Sequence, residues 1–124
     1  VALPAKLQND LKQFQRVQQD LQSAAQQRMQ FDMKLREAVH TLDELKTLPD
    51  ETSIYRPIGG LLVKAKGKSE VEELLTEEKE TLEIRLKALE RQEGHLKEKY
   101  SQMQKELTEA LDKAGVVGAD GSES

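Results

Sequence analysis

The chain has 124 residues, 36% hydrophobic, 34% charged and only 3% aromatic, with two Phe, two Tyr, no Trp and no Cys. Four aromatic rings are too few to fill an ordinary compact core, and the Leu, Val, Ile and Ala diluted among Glu, Lys, Gln and Arg are the composition of long helices. The absence of Cys excludes disulfide scaffolds, thiolate zinc sites and Cys nucleophiles, and fits a reducing compartment. No apolar run approaches the length a membrane span needs, and no signal-peptide pattern opens the chain. The net charge of −4 is unevenly spread: +1 over residues 1–48, +2 over 49–68, −5 over 69–114 and −2 over the last ten residues. Nucleic-acid binding would require a basic stripe with stacking aromatics, and the chain has neither.

The first predicted element is a helix over residues 3–48. Leu7, Phe14, Leu21, Arg28, Leu35 and Leu42 recur every seven residues, each followed three residues later by Asp10, Val17, Ala24, Phe31, Ala38 or Leu45. Ten of these twelve positions are apolar, which predicts a coiled-coil seam with a left-handed supercoil. Pro4 suits the first helical turn, and Pro49 ends the helix near Leu48.

Residues 49–68 form the connector. The stretches 53–58 and 61–66 are strand-like and flank Gly59-Gly60, a two-residue hairpin turn. In that register Ile54, Arg56, Ile58, Leu61, Val63 and Ala65 share one face. A lone hairpin is marginal in water and its edges are open, so Ile54, Tyr55, Ile58, Leu61, Leu62 and Val63 are the candidate assembly interface. Pro57, which lacks an N–H, belongs at an edge or a bulge.

A second helix is predicted over residues 69–114. Leu75, Leu82, Leu89, Leu96, Met103 and Ala110 form one seam row, and Glu72, Lys79, Leu86, Glu93, Tyr100, Leu107 and Ala114 the other. Ser69 with Glu72 reads as a capping box, Gly115 as the stop, and Gly94 as an interior weak point off the seam. The seven Glu between residues 70 and 83 read as a solvated acidic face near the positive end of the helix dipole. Two arms of similar length, each about 65 Å, joined by a short connector predict an antiparallel helical hairpin, with residues 115–124 a flexible tail. The fold class is thus mainly α, a two-helix coiled-coil hairpin with a small β-hairpin connector.

Catalytic chemistry finds no footing. Gly67-Lys68-Ser69 resembles the end of a P-loop, but the position that needs the other Gly is Leu62, which leaves helix capping as its role. His40 and His95 fall about 28 Å apart in the predicted hairpin and cannot share a site. No pattern isolates a carboxylate pair or a metal-ligand set, so no catalytic, cofactor or metal site is expected. The remaining candidate is surface: Leu3, Leu7, Leu11, Leu107, Ala110, Leu111, Val116 and Val117 gather at the open tip, either closing the last turns of the seam or binding other chains.

Three phrases, LPAKLQNDLKQFQRVQQDLQ, IYRPIGGLLVKA and LEIRLKALERQEGHLKEKYSQMQKEL, carry a resemblance to the β-class prefoldin subunits of archaeal type. The resemblance spans residues 3–114, and the connector and LERQE phrases are its more specific parts. It implies a cytoplasmic, ATP-independent chaperone without cofactors. Its hairpins would join an oligomeric β-barrel in an assembly of two α-class and four β-class subunits, α2β4. The implied partners are an α-class prefoldin subunit, other copies of the chain, unfolded client proteins and a group II chaperonin, with no nucleic acid and no membrane. The same resemblance would place client binding on the tip residues and assembly on the hairpin residues named above. A scaffold that docks one folded partner is the alternative reading of the same heptads.

Overall fold

The computed structural model describes residues 3–115. Its elements in chain order are helix α1 (Ala5–Lys46), strand β1 (Tyr55–Ile58), strand β2 (Leu61–Lys64) and helix α2 (Lys68–Lys113). They divide into two compact units, one containing residues 3–27 and 89–115, the other Arg28–Ala88. Each helix contributes one stretch to each unit.

The heptad seam governs burial. All twelve seam positions of α1 are buried or half-buried, with Leu7, Val17, Ala24, Ala38, Leu42 and Leu45 the most enclosed. On α2 the buried positions are Val71, Leu82, Glu93 and Leu107. Three of these four are seam positions; Val71 is not, and it is enclosed more fully than Glu72, the seam position beside it. Glu93 and Arg28 both have interaction partners, so the seam tolerates these two polar interruptions without an orphaned charge.

Within the first unit Phe14 of α1 stacks on Tyr100 of α2, with ring centroids 4.8 Å apart and an interplanar angle of 26°. An offset stack of this kind adds roughly 0.5–1.5 kcal/mol beyond area burial. In the second unit Phe31 lies beneath two cations, Lys34 at 5.2 Å and Arg85 of the facing helix at 5.6 Å. Three of the four aromatics thus serve as cross-helix contacts, and pairings such as Phe31 with Arg85 follow the predicted antiparallel register.

The helix ends follow some of the local signals and depart from others. Pro4 sits just outside α1 and accepts the first helical bond, from the Gln8 N–H at 3.0 Å, so it caps the helix instead of lying in its first turn. Before Pro49 the helix tightens, with Thr47 and Leu48 N–H donating to the carbonyls three residues back, Glu44 and Leu45. The start of α2 differs from the predicted capping box. The helix begins at Lys68, Gly67 accepts the Val71 N–H, and the Glu70 carboxylate receives the Lys66 N–H at 2.6 Å. Two residues earlier than expected, an acidic side chain still closes the turn, since any carboxylate in the first turn can accept from the chain entering it. Gly115, at φ +76°, turns the chain out of α2 as a left-handed C-terminal residue.

Candidate functional site

Two surfaces emerge, one in each unit. In the second unit the connector folds as predicted into an antiparallel hairpin, with Tyr55 opposite Lys64, Arg56 opposite Val63, Pro57 opposite Leu62 and Ile58 opposite Leu61. Gly59 has φ +60° and Gly60 a negative φ, the signature of a type II′ turn, which matches the right-handed twist of the flanking strands. Ile58, Leu61 and Leu62 are 52%, 69% and 74% exposed, and Tyr55 and Val63 are also exposed; Ile54 is half-buried. Large apolar side chains at this exposure on a two-stranded sheet are a surface in want of a cover.

The hairpin is held at its base by Lys68, the lysine of the incomplete P-loop sequence. Its ammonium donates to the Leu48 carbonyl at 2.9 Å and to the Lys46 carbonyl at 3.4 Å, and lies 3.8 Å from the Asp50 carboxylate. It therefore ties the first turn of α2 to the orphan carbonyls at the end of α1, where a cation is best placed. Both ends of the connector are fixed to one another, and so is the base from which the strands rise. Across that base the Ala65 N–H donates to the Ile54 carbonyl at 2.8 Å, extending the ladder one pair beyond the strands.

In the first unit the start of α1 and the end of α2 line an open groove of about 570 Å3. Its apolar lining is Met103, Leu107 and Ala110, and its polar lining combines Lys6, Lys99 and Lys113 with Asp10, Glu106, Glu109 and Gln13. The heptad pattern does not single out these polar residues as a group, yet it holds a signal for them. Lys6, Gln13, Lys99, Glu106 and Lys113 each immediately precede a seam position, so they flank the seam along one side. Of the predicted tip residues, Leu7 and Leu107 are buried in the seam, while Leu3, Leu11, Ala110 and Leu111 are half-exposed. Val116 and Val117 lie outside the described residues. The half-exposed four supply the apolar surface near the groove.

His40 is exposed and faces Glu44 on its own helix at 3.3 Å, and His95 is exposed on α2. Among the described residues no group of His, Asp and Glu is gathered as a metal site would require. No helix among them is long and apolar enough to cross a membrane.

Comparison with known proteins agrees with this architecture. A family model described as Prefoldin subunit matches residues 8–114. The prefoldin subunit beta of Archaeoglobus fulgidus is 43% identical over 109 residues, covering 88% of this chain and 93% of the relative. That of Thermococcus kodakarensis is 41% identical over 109 residues, with 88% and 92% covered. The crystal structure of the prefoldin beta subunit from Thermococcus strain KS-1 superposes with a TM-score of 0.79 at 40% identity, over 89% of this chain and 96% of that one. Two long helices joined by a small β-hairpin, the family match and these relatives together show that the chain belongs to the prefoldin family, in its β-subunit branch, and is a chaperone component, not an enzyme.

Proposed function

We propose that the chain is a subunit of an ATP-independent holdase of the α2β4 type, which works in the cytoplasm, captures unfolded polypeptides near the paired ends of α1 and α2, and passes them to a group II chaperonin. The hairpin is its assembly element, contributing Ile54, Tyr55, Ile58, Leu61, Leu62 and Val63 to a β-barrel completed by neighbouring subunits. The observation that carries this reading is the groove of the first unit, with an apolar lining of Met103, Leu107 and Ala110 beside closely interspersed lysines and carboxylates. An open groove of this kind can hold apolar side chains of an unfolded segment while offering both signs of charge to whatever polar residues lie between them. It places no demand on client sequence. One such groove binds weakly; several on one assembly gain through effective concentration.

The test uses the full chain assembled with an α-class subunit. Replacing Ala110→Glu and Leu111→Ser, both half-exposed, should leave the mass of the complex and its helix content unchanged. Suppression of aggregation of several unrelated unfolded proteins should fall several-fold. Undiminished protection by the intact variant complex would remove the groove from the mechanism. Capture of a single native partner, with indifference to unfolded chains, would favour a docking scaffold instead.

A further inference from the structure

The two edges of the hairpin are not equivalent. In an antiparallel ladder, directly opposed residues alternate between pairs that exchange hydrogen bonds and pairs that do not. The Ala65 N–H donates to the opposing Ile54 carbonyl, which sets the phase of the whole hairpin. Stepping by two along the observed register, Arg56 with Val63 and Ile58 with Leu61 are the other bonded pairs. Tyr55 and Pro57 on β1, and Leu62 and Lys64 on β2, therefore turn their backbone groups to the outer edges. The position of Pro57 explains why it is tolerated in mid-strand: the N–H it lacks would have pointed away from the partner strand.

The outer edge of β2 thus carries two N–H groups and two carbonyls, from Leu62 and Lys64, and that of β1 two carbonyls but only the Tyr55 N–H. Side chains reinforce the difference. On the hairpin's apolar face β2 contributes Leu61, Val63 and Ala65, an unbroken apolar row, whereas the row from β1 is Ile54, Arg56 and Ile58, interrupted by a guanidinium. A strand added beside β2 finds complete hydrogen bonding and continuous apolar contact; one added beside β1 finds a missing donor and a charge.

We infer that assembly proceeds by strand addition to the outer edge of β2, at Leu62 and Lys64, and that the occupant is an extended strand of another prefoldin-family subunit with apolar side chains at alternate positions. Pro57 makes β1 the weaker edge, so in a closed ring the β2 seam is the one that forms first and opens last. The occupant's alternation follows from the face it must extend, since every second residue lies beside Leu61, Val63 and Ala65. This inference rests on the proposed role of the hairpin in assembly and adds which edge carries it.

Hydrogen exchange of the wild-type chain, free and assembled with an α-class subunit, tests it directly. Assembly should slow exchange at the Leu62 and Lys64 amides more than at the Tyr55 amide. Leu62→Pro removes one β2 donor at a position where the hairpin itself needs none, as Pro57 does on the facing strand, and should weaken assembly about tenfold. Pro57→Val returns a donor to β1 and should assemble at least as well as wild type. Greater protection at Tyr55 than at Leu62 overturns the inference, as does Leu62→Pro assembling normally with its helix content intact. A wild-type chain that stays monomeric with every family partner would instead overturn the assembly reading beneath it. The exchange measurement needs no substitution, so the edge assignment is decided even where Leu62→Pro misfolds.

Discussion

The Lys68 clamp is open to a quantitative test by Lys68→Met, which keeps most of the aliphatic stem and removes the ammonium. The side chain is only 16% exposed and bonds the Leu48 carbonyl at 2.9 Å, with a longer contact of 3.4 Å to the Lys46 carbonyl. A hydrogen bond from a charged donor is worth roughly 1.5–3 kcal/mol, but Lys46 and Leu48 are exposed and water can replace the lost donor. The expected loss is therefore about 1–2 kcal/mol, in line with a cation at a partly buried helix C-terminus. Asp50 provides the internal contrast. Its carboxylate is 96% exposed and 3.8 Å away, so Asp50→Asn should cost no more than about 0.5 kcal/mol. Urea unfolding of both variants at one protein concentration, with the double variant closing the cycle, gives the two numbers and their coupling. A loss for Asp50→Asn equal to that for Lys68→Met would mean that the ion pair, not the carbonyl bonding, holds the connector. A loss below about 0.5 kcal/mol for Lys68→Met would mean that the clamp contributes nothing beyond a surface contact.

Glycine substitutions separate conformational need from packing. Gly59→Ala places a side chain at φ +60°, where nothing lies within 4 Å of the added Cβ, so its cost of about 1–2 kcal/mol is purely backbone strain. Gly60→Ala, with negative φ and equal room, should cost far less, and faster exchange of the Ala65 amide in Gly59→Ala alone would register the difference. Gly94→Ala should raise stability by about 1 kcal/mol, because Gly94 is exposed inside α2 and its added methyl meets nothing; a lower thermal midpoint would show that the glycine serves some close approach.

Much of the fold is legible in the residues because its rules are periodic and local. A seven-residue repeat names the buried rows of both helices from spacing alone, and burial of Leu42, Leu82 and Leu107 follows it. Gly-Gly between two strand-like runs names the hairpin and its register, since a two-residue turn leaves only one pairing. Less legible is anything a competing local choice could also satisfy. Ser69 and Glu72 make a plausible cap, yet Gly67 and Glu70 make a usable one a residue or two earlier, and the chain takes it. Of the candidate functional surfaces, the exposed hairpin residues follow from the strand pattern, whereas the polar lining of the groove does not. Its residues come from the two ends of the described chain, and each looks like an ordinary solvated charge until the helices pair.

Length and composition favour long helices over a compact core, and spacing turns those helices into two seams joined by a hairpin. That much follows from one dimension, because helical and strand periods repeat along the chain itself. The tertiary structure alone decided where Lys68 goes, because the carbonyls it clamps lie twenty and twenty-two residues away in the chain. It also supplied the bond between strands, from the Ala65 N–H to the Ile54 carbonyl, that shows directly which edge Pro57 blocks.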